Sequence, residues 1–275
     1  ILQEGDPRGT AVRRGQEIEI TPKPLIDDLD ALPFPARHLG DVSAYFYPKL
    51  GTCTTLLSSR GCPYPCRYYC PYPLTQGEVW RSRSAGSVLA EIEAILASGL
   101  DRILFRDPVF TLDPTRIREI CRGILERRLP VKWWCETRAD LLPRDLLEHM
   151  AEAGCVGINV GVESGEPHLR HSILKRGVDD QTLVRLVSDA KDVGIKIAFL
   201  LMVGFPGETR ESVVKTASLL SACRPFSIGV VFPVHHPGTG LDRHARRKGW
   251  DMEFAEKWLA PILGYRPEAA KEKAA

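Results

Sequence analysis

The sequence has 275 residues, 44% of them hydrophobic and 26% charged, with a formal net charge of +2. A chain of this length buries roughly three quarters of its unfolded surface and needs no disulfide staples. The charge is too small to indicate a nucleic-acid partner, and no apolar run nears the roughly 18 residues of a membrane helix, so with no signal-peptide pattern at the start a cytoplasmic protein is expected.

The first 50 residues are polar and proline-rich. Pro22 and Pro24, then Pro33 and Pro35, bias the backbone toward extended geometry, and residues 1–50 read as a connecting segment. From residue 51 short β-rich runs alternate with amphipathic stretches. Strands are predicted over Thr54–Ser58, Arg102–Arg106, Val131–Glu136, Val156–Val160, Lys196–Val203 and Ser227–Val231. Between them, Val88, Leu89, Ile92, Ile95 and Leu96 share one helical face, as do Ile117, Ile120, Cys121, Ile124 and Leu125. Asp113 followed by Pro114 supplies a cap and a first-turn proline for the second of these helices. A third helix follows Leu142-Pro143, with Leu146, Leu147 and Met150 inward. A fourth buries Leu183, Leu186, Val187 and Ala190, and a fifth Val213, Ala217 and Leu220. Gly99, Gly154 and Gly194 stand where a helix gives way to a strand, positions that favour a left-handed cap. A helix or frayed tail is expected over 251–275. Alternating strands and helices imply an α/β fold with a parallel sheet and right-handed crossovers. Six units suit an open barrel or a doubly wound sheet, and both put ligands at the C-terminal strand ends.

There are eight cysteines. Cys53, Cys121, Cys135, Cys155 and Cys223 are scattered and read as single thiols in a reducing compartment. Cys62, Cys66 and Cys70 crowd into one short loop with Tyr64, Tyr68, Tyr69 and several prolines, directly after the first strand. Three soft thiolates suit an iron–sulfur cluster with one iron left open. Zinc would need a fourth ligand, for which Cys53 is the candidate. Unligated or disulfide-bonded thiols are the third reading.

This loop resembles the cluster loop of the radical S-adenosylmethionine (radical SAM) superfamily. The family's usual spacing is Cys-x3-Cys-x2-Cys; here it is Cys62-x3-Cys66-x3-Cys70, one residue longer in the second gap. Tyr69 matches the aromatic position before the third cysteine, which the family packs near adenine, and Tyr68 reads as the inserted residue. The resemblance runs over roughly residues 51–250. It implies a radical SAM core domain folded as a partial (β/α)6 TIM-like barrel, with Cys62, Cys66 and Cys70 on a [4Fe–4S] cluster.

Further contacts follow from the same resemblance. Asp107 is the candidate acceptor for the methionyl amine of SAM, a turn leading into a helix being the alternative. Arg138 offers a planar, charged fork for the methionyl carboxylate; a salt bridge with Asp140 or Glu163 is the other reading. Gly161 to Gly165 matches a GxESG segment whose Glu163 and Ser164 can bond ribose hydroxyls. Val203 to Thr209 resembles a glycine-rich turn that contacts adenine, with Gly204 and Pro206 as candidates. His235 or His236, beside a Pro-Gly-Thr turn, could face substrate or solvent.

The implied chemistry is reductive cleavage of SAM by an electron from the cluster, followed by hydrogen abstraction from a small-molecule substrate. The implied electron donor is a protein such as flavodoxin or ferredoxin. Pro24 to His38 is similar to the linker of cobalamin-binding radical SAM proteins, where a cobalamin domain precedes the barrel. The leading expectation is therefore methyl transfer to a carbon or phosphinate centre, with cobalamin held outside this chain. Cyclisation or rearrangement, methylthio transfer, and a non-catalytic iron–sulfur or zinc module are the alternatives.

Overall fold

The computed structural model describes residues 9–21 and 24–248. The helix or tail expected over 251–275 lies outside them. Strands β1 (Thr10–Arg14) and β2 (Glu17–Thr21) form an antiparallel hairpin. Strands β3 (Phe46–Tyr47) and β4 (Gly51–Thr52) make a second short ladder. There follow β5 (Thr54–Leu56), β6 (Ser59–Arg60), α1 (Tyr72–Gln76), β7 (Arg81–Ser82), α2 (Ala85–Ala97), β8 (Arg102–Phe105), α3 (Pro114–Glu126), β9 (Lys132–Thr137), α4 (Arg144–Glu152), β10 (Cys155–Glu163), α5 (Asp180–Asp192), β11 (Lys196–Met202), α6 (Arg210–Cys223), β12 (Ser227–Val231) and α7 (Gly240–Lys248).

Six strands form one parallel sheet in the order β5-β8-β9-β10-β11-β12, which is chain order. Each crossover steps to the next strand, so the sheet curls as an incomplete barrel, and among the described residues no strand joins its ends, β5 and β12. This is the expected α/β architecture. The glycines between helix and strand take the positive φ their positions required: +87° at Gly99, +90° at Gly154 and +81° at Gly194.

Strand alternation splits the interior into two cores. Side chains on the outer face, including Ile103, Phe105, Trp133, Ile158, Val160 and Phe199, pack under the helices. Phe105, Phe110 and Trp133 form an aromatic knot with ring centroids 4.5–5.5 Å apart. Four apolar side chains of α2 are buried (Val88, Leu89, Ile92, Ile95), each contributing roughly 1.5–3 kcal/mol before chain entropy is subtracted. On the inner face Leu50, Cys53, Leu104, Trp134 and Ala198 close the barrel floor. Gly157 makes room for that floor, because a Cβ there would stand 2.1 Å from the Trp134 ring.

Three expectations change. The described residues within 1–50 are not a plain extended segment: they carry the hairpin, and Arg37 reaches the body of the fold. Its guanidinium donates to Glu91 Oε1 at 2.6 Å and to Thr54 Oγ1 at 3.0 Å. A buried carboxylate such as Glu91 needs such a cation, and the polar composition that suggested a linker supplies it. The buried face of α6 is Ser212, Thr216, Leu219 and Cys223; of the expected residues Leu220 packs partly buried against the main core, Val213 is half-buried and Ala217 is exposed. The helix is turned so that Thr216 Oγ1 can accept the backbone N–H of Gly165 at 2.8 Å. Leu125 of α3 is exposed; Gly123, packed against Leu89, brings the helices together in its place.

Candidate functional site

The site is built on the C-terminal ends of the parallel strands. Residues 61–70 leave β6 as a loop in which Cys62 N–H binds the carbonyl of Gly77 at 3.1 Å. From Cys66 the chain makes one helical turn: the amide of Cys70 donates to the Cys66 carbonyl at 3.1 Å. The extra residue in the second gap thus gives i,i+4 spacing, which puts both sulfurs on one face of the turn. All eight cysteines are free thiols. Hydrogen bonds link the Cys66 side chain to those of both Cys62 and Cys70, and Arg176 lies close by. Together they hold the Cys66 thiol far down, at about 3. The bonds to Cys66 and burial push the other two thiols up.

All three cysteines line one cavity of about 460 Å³, together with Tyr64, Tyr69, Glu136, Asn159, Glu163, Arg176, Met202 and His236. Its wall beside the thiols is a closed polar triad. Glu163 Oε1 accepts from Tyr69 Oη at 3.1 Å and from Arg176 Nη2 at 2.7 Å, and Arg176 Nε donates to Tyr69 Oη at 3.1 Å. Burial, and then the Glu163 charge, push the Tyr69 hydroxyl well above its ordinary value, so it stays a donor. Glu163 ends β10 with φ +67°, at a bulge in the ladder with β11. That left-handed turn costs a non-glycine residue roughly 1–2 kcal/mol. It turns the carboxylate into the cavity, while Gly161 leaves the space in front of it open. Phe205 supports the triad from behind, its ring edge-on to Tyr69 at 5.7 Å.

Of the other residues singled out from the sequence, His236 lines the cavity and the rest do not. Asp107 is fully buried outside the cavity lining. It accepts from the backbone N–H and hydroxyl of Ser58 at 3.1 and 2.9 Å, and from Ser59 Oγ. Burial pushes its carboxyl above the usual range. Those bonds fasten the β5–β6 junction and occupy both oxygens. Arg138 spends Nε and Nη2 on Asp140, both at 2.9 Å, and stacks 4.0 Å from the Tyr64 ring centroid. Its side chain is buried against the cysteine loop, and Nη1 is buried with no hydrogen-bond partner among the described residues. Ser164 is fully buried and accepts the Glu166 amide at 3.1 Å, on the α6 side. Gly204, at φ +107°, gives its N–H to Glu208. Pro206 lines a separate outer depression with Glu166 and Thr209. His236 reaches the cavity; His235 lies 3.9 Å from Asp242.

Arg176, Phe205, Glu136 and Asn159 were not singled out from the sequence. Arg176 had a signal, since a glutamate meant for a barrel interior needs a cation. Asn159 is a hub one layer below, accepting from Trp134 Nε1 at 3.0 Å and donating to Glu136 Oε1 at 3.2 Å. Only the sheet brings those partners together.

The donor set fits an iron–sulfur cluster better than a single ion. Among the described residues no three His, Cys, Asp or Glu side chains are arranged to hold a metal ion. Cys53, the candidate fourth zinc ligand, sits in the barrel floor with Leu50 and Trp134. Three thiols on one wall, with a guanidinium behind them, match an anionic cluster that takes three protein ligands. No helix among the described residues is long and apolar enough to cross a membrane.

An uncharacterised methyltransferase of Pyrococcus horikoshii is 29% identical over 225 residues, covering 82% of this chain and 48% of that protein. The cytidylyl-2-hydroxyethylphosphonate methyltransferase of Streptomyces wedmorensis is 27% identical over 204 residues, covering 69% of this chain and 38% of that one. The chain therefore spans less than half the length of these relatives. Among solved structures, the radical SAM methyltransferase TsrM of Kitasatospora setae, with cobalamin and a [4Fe–4S] cluster bound, superposes with a TM-score of 0.66 at 25% identity, over 72% of this chain and 40% of that one. The family profile of the radical SAM superfamily matches residues 56–220, which run from the end of β5 into α6 and enclose the whole cysteine loop and the Tyr69–Glu163–Arg176 triad, and the chain belongs to that superfamily.

Proposed function

We propose that residues 51–250 are the catalytic core of a methyltransferase in which Cys62, Cys66 and Cys70 ligate a [4Fe–4S] cluster and SAM binds in the adjoining cavity. The observation that carries this reading is the meeting of three free thiols, the Tyr69–Glu163–Arg176 triad and a cavity of about 460 Å³ at one barrel mouth. When bound, the cluster supplies the electron for reductive cleavage of SAM. The chain's own residues prepare that site. Arg176 places positive charge beside the thiols. Both bonds accepted by Glu163 fall on Oε1, leaving Oε2 for a ligand hydroxyl. Deeper in the lumen, Glu136, whose side-chain bonds to Arg106 and Asn159 both fall on Oε1, offers its second oxygen toward a small-molecule substrate, and Met202, Val231 and Phe232 line an apolar side of the cavity.

Methyl transfer to a carbon or phosphinate centre is supported by relatives named as methyltransferases, one of them acting on a phosphonate. Cobalamin would be carried by a domain outside this chain. A donor such as flavodoxin or ferredoxin and a reducing cytoplasm complete the reading, consistent with eight free thiols.

The test is anaerobic reconstitution with iron and sulfide, then addition of dithionite and SAM. About four irons per chain and release of 5′-deoxyadenosine or S-adenosylhomocysteine are expected. Cys66→Ala should lose both; retained iron and turnover in that variant would overturn the ligand assignment.

A further inference from the structure

The one-residue-longer gap between Cys66 and Cys70 has a structural counterpart at the other end of the described chain. The turn from Cys66 to Cys70 is a single helical turn, ended by Pro71, which has no N–H to continue it. Pro71 denies the Arg67 carbonyl its i+4 donor and the Tyr68 carbonyl its i+3 donor. The first amides of α7 are equally without intrahelical acceptors. The two sets meet: the Gly240 N–H donates to the Arg67 carbonyl at 3.1 Å, and the Leu241 N–H to the Tyr68 carbonyl at 2.6 Å.

Residue type makes this contact exacting. A Cβ at position 240 would stand 2.8 Å from Tyr68 Cδ2 and 3.1 Å from its Cα, so only glycine allows the approach. The start of α7 is itself fastened. The fully buried Thr239 accepts the Asp242 amide through Oγ1 at 3.2 Å and donates that hydroxyl to the His236 carbonyl at 2.7 Å. Asp242 Oδ2 accepts the Gly238 N–H at 3.0 Å. The Pro-Gly-Thr turn near residue 238 thus serves to hold a helix end against the cysteine loop.

We propose that the N-terminus of α7 is a clamp on the cluster loop, in which the Gly240 and Leu241 amides bind the Arg67 and Tyr68 carbonyls and so fix the lengthened Cys66–Cys70 turn in its ligating shape. Gly240 is a positioning residue: it acts through the loop and touches no cofactor. The inference rests on Cys66 and Cys70 being ligands, as set out above.

The test uses the full chain. Gly240→Val should leave the circular dichroism of the apo-protein unchanged, yet after reconstitution should surrender iron to a chelator several-fold faster than the parent. Iron retention equal to the parent's overturns the clamp. Should Gly240→Val fail to fold, hydrogen exchange on the parent decides instead. The Gly240 and Leu241 amides should exchange about ten-fold more slowly in the reconstituted than in the apo-protein; equal rates overturn the proposal. Cys66→Ala run alongside separates the two readings. If it keeps its iron, the ligand assignment falls and the clamp with it; if it loses iron while Gly240→Val holds it, the clamp alone falls.

Discussion

Asp107 shows how one residue type at one strand end can serve two different ends. Its place after β8 suggested a partner for a cofactor amine, yet it is fully buried, with both oxygens taken by Ser58 and Ser59. Asp107→Asn replaces an acceptor oxygen with a donor amide facing donors, and should cost roughly 1–3 kcal/mol of stability. Urea unfolding measures the loss. Iron content and SAM affinity should stay at parental values, and a SAM-binding defect without a stability loss would restore the cofactor role. Glu163 is the opposite case. Its chemical type announced a site residue, but its orientation depends on a positive φ that no residue type dictates.

Among the elements, α6 is the instructive helix. The hydrophobic pattern put Val213, Ala217 and Leu220 inside, while full burial follows Ser212, Thr216, Leu219 and Cys223, with Leu220 alone of the expected set packed against the main core. The reason is a backbone contact. Gly165 approaches so closely that a Cβ would lie 2.4 Å from Thr216 Cα, and its N–H needs the Thr216 hydroxyl. Thr216→Val keeps the volume, removes that acceptor and leaves a buried amide unpaired; thermal or urea unfolding should show a loss of about 1–3 kcal/mol. At the start of α5, Asp179 caps the helix by accepting the Thr182 amide at 2.7 Å, which depresses its carboxyl below the ordinary 3.8. A carboxylate depressed in the folded state contributes fully above its unfolded value and loses that contribution as pH falls through the folded one. The stability difference between parent and Asp179→Ala should therefore be constant above pH 3.8 and shrink on acidification below it. Urea melts across that range check this, and a difference that widens in acid would contradict it.

For the whole molecule, the six-stranded sheet is open between β5 and β12, and its mouth holds three thiols that mutually perturb one another. Such a mouth is where a bound cofactor adds most, because a group that binds only the folded chain stabilises it by mass action. Reconstituted protein should melt several degrees above the apo-protein by anaerobic scanning calorimetry, and a chelator should reverse the gain. Identical melting curves at full iron content would show that the cysteine loop is uncoupled from the barrel.

The sequence by itself determined the barrel's strands and helices, because hydrophobic periodicity and helix-ending glycines are local signals. All six predicted strands occur, and Gly99, Gly154 and Gly194 take the left-handed φ they were assigned. It also brought the three-cysteine loop forward as the candidate site, since soft ligands at close spacing share one chemistry wherever the loop lies. What it left open was every partnership between residues distant along the chain: Arg176 with Glu163, Asp107 with Ser58, Arg37 with Glu91, Gly240 with Arg67. Those were decided by the closing of the sheet, because which of several compatible donors meets a given acceptor depends on the register and curvature of strands, not on the residues' own preferences.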